Sequence, residues 1–73
     1  MKPYGVILFH TTSAAMRAKK VLTGAGLSGK LIPTPRQFSS DCGIAWRFNW
    51  NEADQVRTVL DEARVEIAAL HPL

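Results

Sequence analysis

The chain has 73 residues, 47% of them apolar and 21% charged, with a formal net charge of +3 and a pI near 9.5. That length gives one domain, residues 1–73, with little interior and no room for a large substrate cleft. The composition excludes a disordered chain, and the charge is too small to argue by itself for nucleic acid.

Residues Tyr4 to Thr11, YGVILFHT, are apolar on both alternating faces, as in a strand central to its sheet. Val6 to Phe9 is the longest early apolar run, too short for a membrane span or a signal-peptide core. A soluble, cytoplasmic protein, complete as given, is therefore expected. Thr11, Thr12 and Ser13 are each able to cap a helix, which the spacing of Ala14, Ala18, Val21, Leu22 and Ala25 predicts over 13–24. Arg17, Lys19 and Lys20 read as its solvated face, and Gly24 or Gly26 as its stop.

Leu27 to Pro33 reads as a second strand. Pro33 and Pro35 cannot donate ladder hydrogen bonds, which puts this strand at an edge. Ile44 to Trp50, IAWRFNW, places Ile44, Trp46, Phe48 and Trp50 on one face, against the helices. Asn51 is the expected cap of a second helix with the stripe Ala53, Val56, Val59, Leu60 and Ala63, closed by Arg64. Val65 to Leu70 reads as the last strand. The order β-α-β-β-α-β is that of an α+β ferredoxin-like sandwich, with strand order 4-1-3-2 and both helices on one face.

This topology sets the start of the third strand beside the end of the first. Cys42, the only cysteine, then lies near His10, Thr11, Thr12, Ser13 and the start of the first helix, with Arg64 at the same end. Free amides and the helix dipole there favour an anion, including a thiolate, a persulfide or a selenium analogue. Arg36 adds positive charge and Asp41 opposes it. Ser39 and Ser40 make a polar, accessible loop, and Gly43 leaves room for another molecule to reach the sulfur. A lone cysteine is also an ordinary small core residue, and the residues alone leave both readings open. No metal-ligand cluster or cofactor motif is present in the sequence, so neither a metal nor a cofactor is expected.

The segments FHTTSAAMRAKKVL, LIPTPRQFSSDCG and IAWRF resemble a small family, formerly a bacterial domain of unknown function, of selenium/sulfur carrier protein-like sequences. The resemblance covers nearly the whole chain. It implies that Cys42 holds sulfur or selenium as a persulfide or selenopersulfide. Pro33, Pro35, Arg36, Ser39, Ser40 and Gly43 match its loop pattern, and Lys19 departs from it. It also implies protein partners, a desulfurase-type donor and a chalcogen acceptor, and a carrier rather than a turnover enzyme. Neither nucleic acid nor membrane is expected as a partner. A competing reading is an interaction module that dimerises through an open sheet face carrying Ile7, Phe9, Ala45 and Arg47, with Cys42 incidental.

Overall fold

The computed structural model describes residues 3–38 and 42–73. Its elements are β1 (Tyr4–Leu8), α1 (Thr12–Gly24), β2 (Gly29–Pro33), β3 (Ile44–Asn49), α2 (Ala53–Glu62) and β4 (Ala69–Pro72), with a 3₁₀ turn at Trp50–Glu52. The four strands form one antiparallel sheet in the order β2-β3-β1-β4, the expected order read from the other edge. This is the α+β ferredoxin-like arrangement. β1 is central and the proline-bearing β2 lies at an edge, as the sequence predicts.

Register decides what each face carries. Gly5 pairs with Phe48, Ile7 with Trp46 and Leu8 with Ala45. Side chains alternate across a strand, so Ile7 and Phe9 share the helix side with Trp46 and Phe48. They form the main core there with Ala15, Ala18 and Leu22 of α1 and Val56 and Leu60 of α2. The expectation that Ile7 and Phe9 lie on an open face is therefore wrong. Both are fully buried under the helices.

The other face carries Val6, Leu8 and Ala45, and it is not bare. Phe38, Ile32, Ala69 and Leu73 pack on it, and Val6 and Ala45 have no solvent exposure. Phe38 comes from the segment after β2 and stacks on His71 of β4, with ring centroids 4.8 Å apart and planes 8° apart. Arg47 lies over the Tyr4 ring at 4.6 Å. The chain covers its own second face with one aromatic side chain from the loop.

Element ends differ from expectation for local reasons. Gly26 (φ 80°) ends α1 as Gly26 N–H donates to Thr23 O and Leu27 N–H to Leu22 O. That pair of bonds is a Schellman closure. It consumes Leu27, so β2 begins at Gly29 and not at residue 27. Asn51 is not the cap of α2. It lies within the 3₁₀ turn, and Glu52 precedes the helix with no side-chain cap bond.

The same closure ends α2, through Arg64 N–H to Asp61 O and Val65 N–H to Leu60 O. It draws Val65 into the core, so β4 starts four residues later than expected, at Ala69. The residue at the left-handed position of this closure is Arg64, with φ 56°. An L side chain there costs about 1–2 kcal/mol relative to glycine. Arg64→Gly is expected to stabilise the protein by about 0.5–1 kcal/mol after the entropy cost of glycine in the unfolded chain. Urea denaturation of the two proteins checks it.

Candidate functional site

The three hydroxyl residues before α1 have three separate roles. Thr11 is the N-cap, its hydroxyl accepting from Ala14 N–H at 3.1 Å. Thr12 therefore falls in the first turn of the helix. Its Oγ1 lies 3.7 Å from Cys42 Sγ, within reach of a hydrogen bond to sulfur, with either atom as donor. Ser13 faces a different space, a cleft of about 320 Å³ lined also by His10, Arg17, Arg64 and Glu66. The predicted meeting of Cys42, the start of α1 and Arg64 at one end of the sheet is thus present. The cysteine itself is not part of the cleft lining.

Cys42 is 4% exposed and belongs to the main core with Ile7, Phe9, Ala15 and Trp46. The expectation of an accessible sulfur is not met by this conformation. The reason is periodicity. Positions 44, 46 and 48 share one face of β3, and Cys42, two residues before Ile44 in the bend that leads into the strand, packs into the same core under the helices. That spacing was legible in the sequence and overrides the polar residues that precede the cysteine.

The backbone around Cys42 is held from across the hairpin. Thr34 N–H donates to Gly43 O at 3.0 Å, and the Thr34 hydroxyl donates to Cys42 O at 3.0 Å. Pro35, next in the chain, has no N–H to offer. Sequence reasoning gave Thr34 no role, and only its place opposite Gly43, next to the cysteine, where the β2–β3 register continues, points to it.

Gly43 is exposed, and a Cβ built on it would meet nothing within 4 Å. Its φ lies outside the positive region. Among the described residues nothing requires glycine there. Arg36 is exposed in the turn closed by Phe38 N–H to Pro35 O at 3.0 Å. Ser39, Ser40 and Asp41 lie outside the described residues.

Arg17, expected only as a solvated residue, reaches across to α2. Its Nη2 donates to Ala63 O at 2.9 Å, satisfying a carbonyl at the end of that helix. Among the described residues no group of three or more His, Cys, Asp or Glu side chains could hold a metal ion. No described helix is long and apolar enough to cross a membrane.

The chemistry available at this site is that of one thiol. Its sulfur lies against a hydroxyl at a helix start, and its neighbour is an exposed glycine. Searches of curated proteins and of solved structures gave no significant match. Residues 4–72 match the family described as "Putative Se/S carrier protein-like", a span that includes every described element of the fold. The chain belongs to the Se/S carrier protein-like family.

Proposed function

We propose that this protein carries sulfur or selenium as a persulfide or selenopersulfide on Cys42, between a donor and an acceptor protein. The observation that supports this most is the pairing of the chain's single thiol with Thr12 at the start of α1, 3.7 Å apart, in a chain of this family. Partial positive charge at the helix start, with the hydroxyl, favours a negatively charged terminal chalcogen.

Loading follows ordinary thiol exchange. The Cys42 thiolate attacks the terminal sulfur of the donor's persulfide. A sulfur–sulfur bond forms on Cys42, the donor's bond breaks, and the donor cysteine leaves as a thiolate. Unloading reverses the roles, with the acceptor's nucleophile attacking the terminal atom and Cys42 leaving as thiolate. The chalcogen keeps its oxidation state in each step, so no cofactor is needed. With selenium, the terminal atom is selenium and the bonds formed and broken are sulfur–selenium bonds.

The burial of Cys42 favours a second reading, in which it is a core residue and carries nothing. Intact-protein mass spectrometry separates the two. After incubation with a cysteine or selenocysteine desulfurase and its substrate, a carrier gains one sulfur or one selenium and loses it to a thiol reductant. A core cysteine gains neither. Thr12→Val keeps the shape and removes the hydroxyl. It is expected to slow loading about five-fold, the worth of one modest hydrogen bond, while Thr12→Ser loads like the wild type. Equal rates in all three proteins would remove Thr12 from the site.

A further inference from the structure

We propose that a cleft at the far end of β3 from Cys42 binds a small phosphate-bearing anion between Lys30 and Arg47. The cleft has a volume of about 310 Å³ and is lined by Tyr4, Ser28, Lys30, Arg47 and Asn49. That is the size of a small-ligand pocket. The proposal rests on nothing in the carrier reading.

Like charges are set side by side here. Lys30 and Arg47 are register partners across β2 and β3, so their side chains leave the same face of the sheet as neighbours. Like charges placed directly opposite each other destabilise a sheet. A carboxylate beside them would offset this, yet no described strand carries Asp or Glu and no described carboxylate lines the cleft. Glu52, which follows β3, is outside that lining, and its Oε1 lies 3.5 Å from Asn49 Nδ2. The space between Lys30 and Arg47 therefore favours an anion from outside the chain.

Arg47 is already oriented for such a ligand. Its guanidinium lies over the Tyr4 ring, 4.6 Å from the centroid, and its side chain is partly buried. Stacking occupies one face of the guanidinium and leaves the N–H groups in its plane to fork onto phosphate oxygens. Lys30, exposed beside it, adds a point charge. The patch is also small. An anionic membrane calls for a cluster of roughly four to eight cations, and a nucleic-acid backbone for cations spread along several phosphates. Here Phe38 covers the same face over Val6 and Leu8, while Arg17, Lys19 and Lys20 belong to α1, on the other side of the sheet.

The test is an amide NMR titration of the full chain with inorganic phosphate replacing chloride, at constant pH and ionic strength. Saturable shifts grouped at Ser28, Lys30, Arg47 and Asn49 are expected. Lys30→Gln, an exposed change that leaves the Tyr4 stack in place, is expected to weaken binding about ten-fold, the worth of one charged hydrogen bond. Arg47→Lys, which keeps the charge and loses the fork, is expected to weaken it as well. In thermal melts, phosphate should raise the midpoint of the wild type more than that of Lys30→Gln.

Shifts that do not saturate overturn the proposal, as do shifts of equal size at Lys19 and Lys20, which would mark general attraction to cations. Unchanged affinity in Lys30→Gln overturns it too. Saturation of the same amides by a single-stranded oligonucleotide at far lower concentration than phosphate would overturn the small-anion assignment in favour of nucleic acid.

Discussion

Cys42→Ser is expected to abolish chalcogen loading completely while the protein still folds. Serine offers no nucleophile able to hold a persulfide under these conditions, and the chain has no second cysteine to take over. The fold should bear the change because a serine hydroxyl in that position faces the Thr12 hydroxyl, which lies 3.7 Å from the present sulfur. The cost is about 1–2 kcal/mol, from burying a more polar group in a core of Ile7, Phe9 and Trp46. Cys42→Ala should lose loading to the same extent with a similar penalty, from a smaller side chain. Circular dichroism melts alongside intact mass check both halves. Loading that persists in either variant would assign the chemistry to another residue.

The largest stability effect is expected at two glycines that lie beneath aromatic rings. A Cβ on Gly29 would run into the indole of Trp46, and one on Gly5 into the rings of Phe48 and Trp50. Trp46 and Phe48 are large rings buried in the core, which cannot swing aside as the end of a lysine would. Gly29→Ala and Gly5→Ala are each expected to destabilise by about 3 kcal/mol, the upper end of ordinary overpacking. That is a large part of the stability of a chain this size. Urea melts should show a midpoint lowered accordingly for both. By contrast, a Cβ on Gly24 or Gly43 would meet nothing within 4 Å. The Trp46 indole N–H is buried with no hydrogen-bond partner among the described residues, so this ring is held by its shape. A variant of Gly29 that melts like the wild type would mean that the β2 edge moves away from Trp46 at little cost.

Much of this architecture could be read from alternation and punctuation. Trp46 and Phe48 fall on one face because they are two apart, and that face is the one under α1 and α2. Pro33 and Pro35 mark an edge because a proline nitrogen has no hydrogen to donate. The misreadings have a common origin in register and in helix closures. Nothing in YGVILFHT tells whether its odd or even residues meet the helices, since both are apolar. Only the pairing of Ile7 with Trp46 decides it. The start of β4 was set by a left-handed arginine at position 64, a place where sequence rules expect glycine.

The site was partly legible in the same way. Topology alone brought Cys42 to the start of α1, and the structure sets its sulfur against Thr12. The choice among Thr11, Thr12 and Ser13 was not available from sequence. It depends on which of three similar hydroxyls takes the cap, and Thr11 does. The burial of Cys42 was available, since it lies two residues before Ile44, in step with Trp46, but the serines before it drew attention to a polar loop. Phe38 gave no signal at all. Its place over Val6 and Leu8 follows from the turn at Pro35, which sends the loop back across the sheet.

The interaction-module reading loses its stated surface here, because Ile7 and Phe9 are buried under the helices and Phe38 lies on the other face. Membership of a carrier family implies interaction with other proteins.

The most direct test of the central claim is to trap the carried atom in place. Wild-type protein is incubated with a desulfurase and cysteine or selenocysteine, alkylated without reductant, digested, and the peptide containing Cys42 is sequenced by tandem mass spectrometry. The carrier account predicts an alkyl group attached through one additional sulfur or selenium on Cys42, lost when reductant is added first. A Cys42 peptide that is unmodified or carries the alkyl group alone, with donor activity confirmed on a known acceptor, would contradict it and leave Cys42 as a residue of the core.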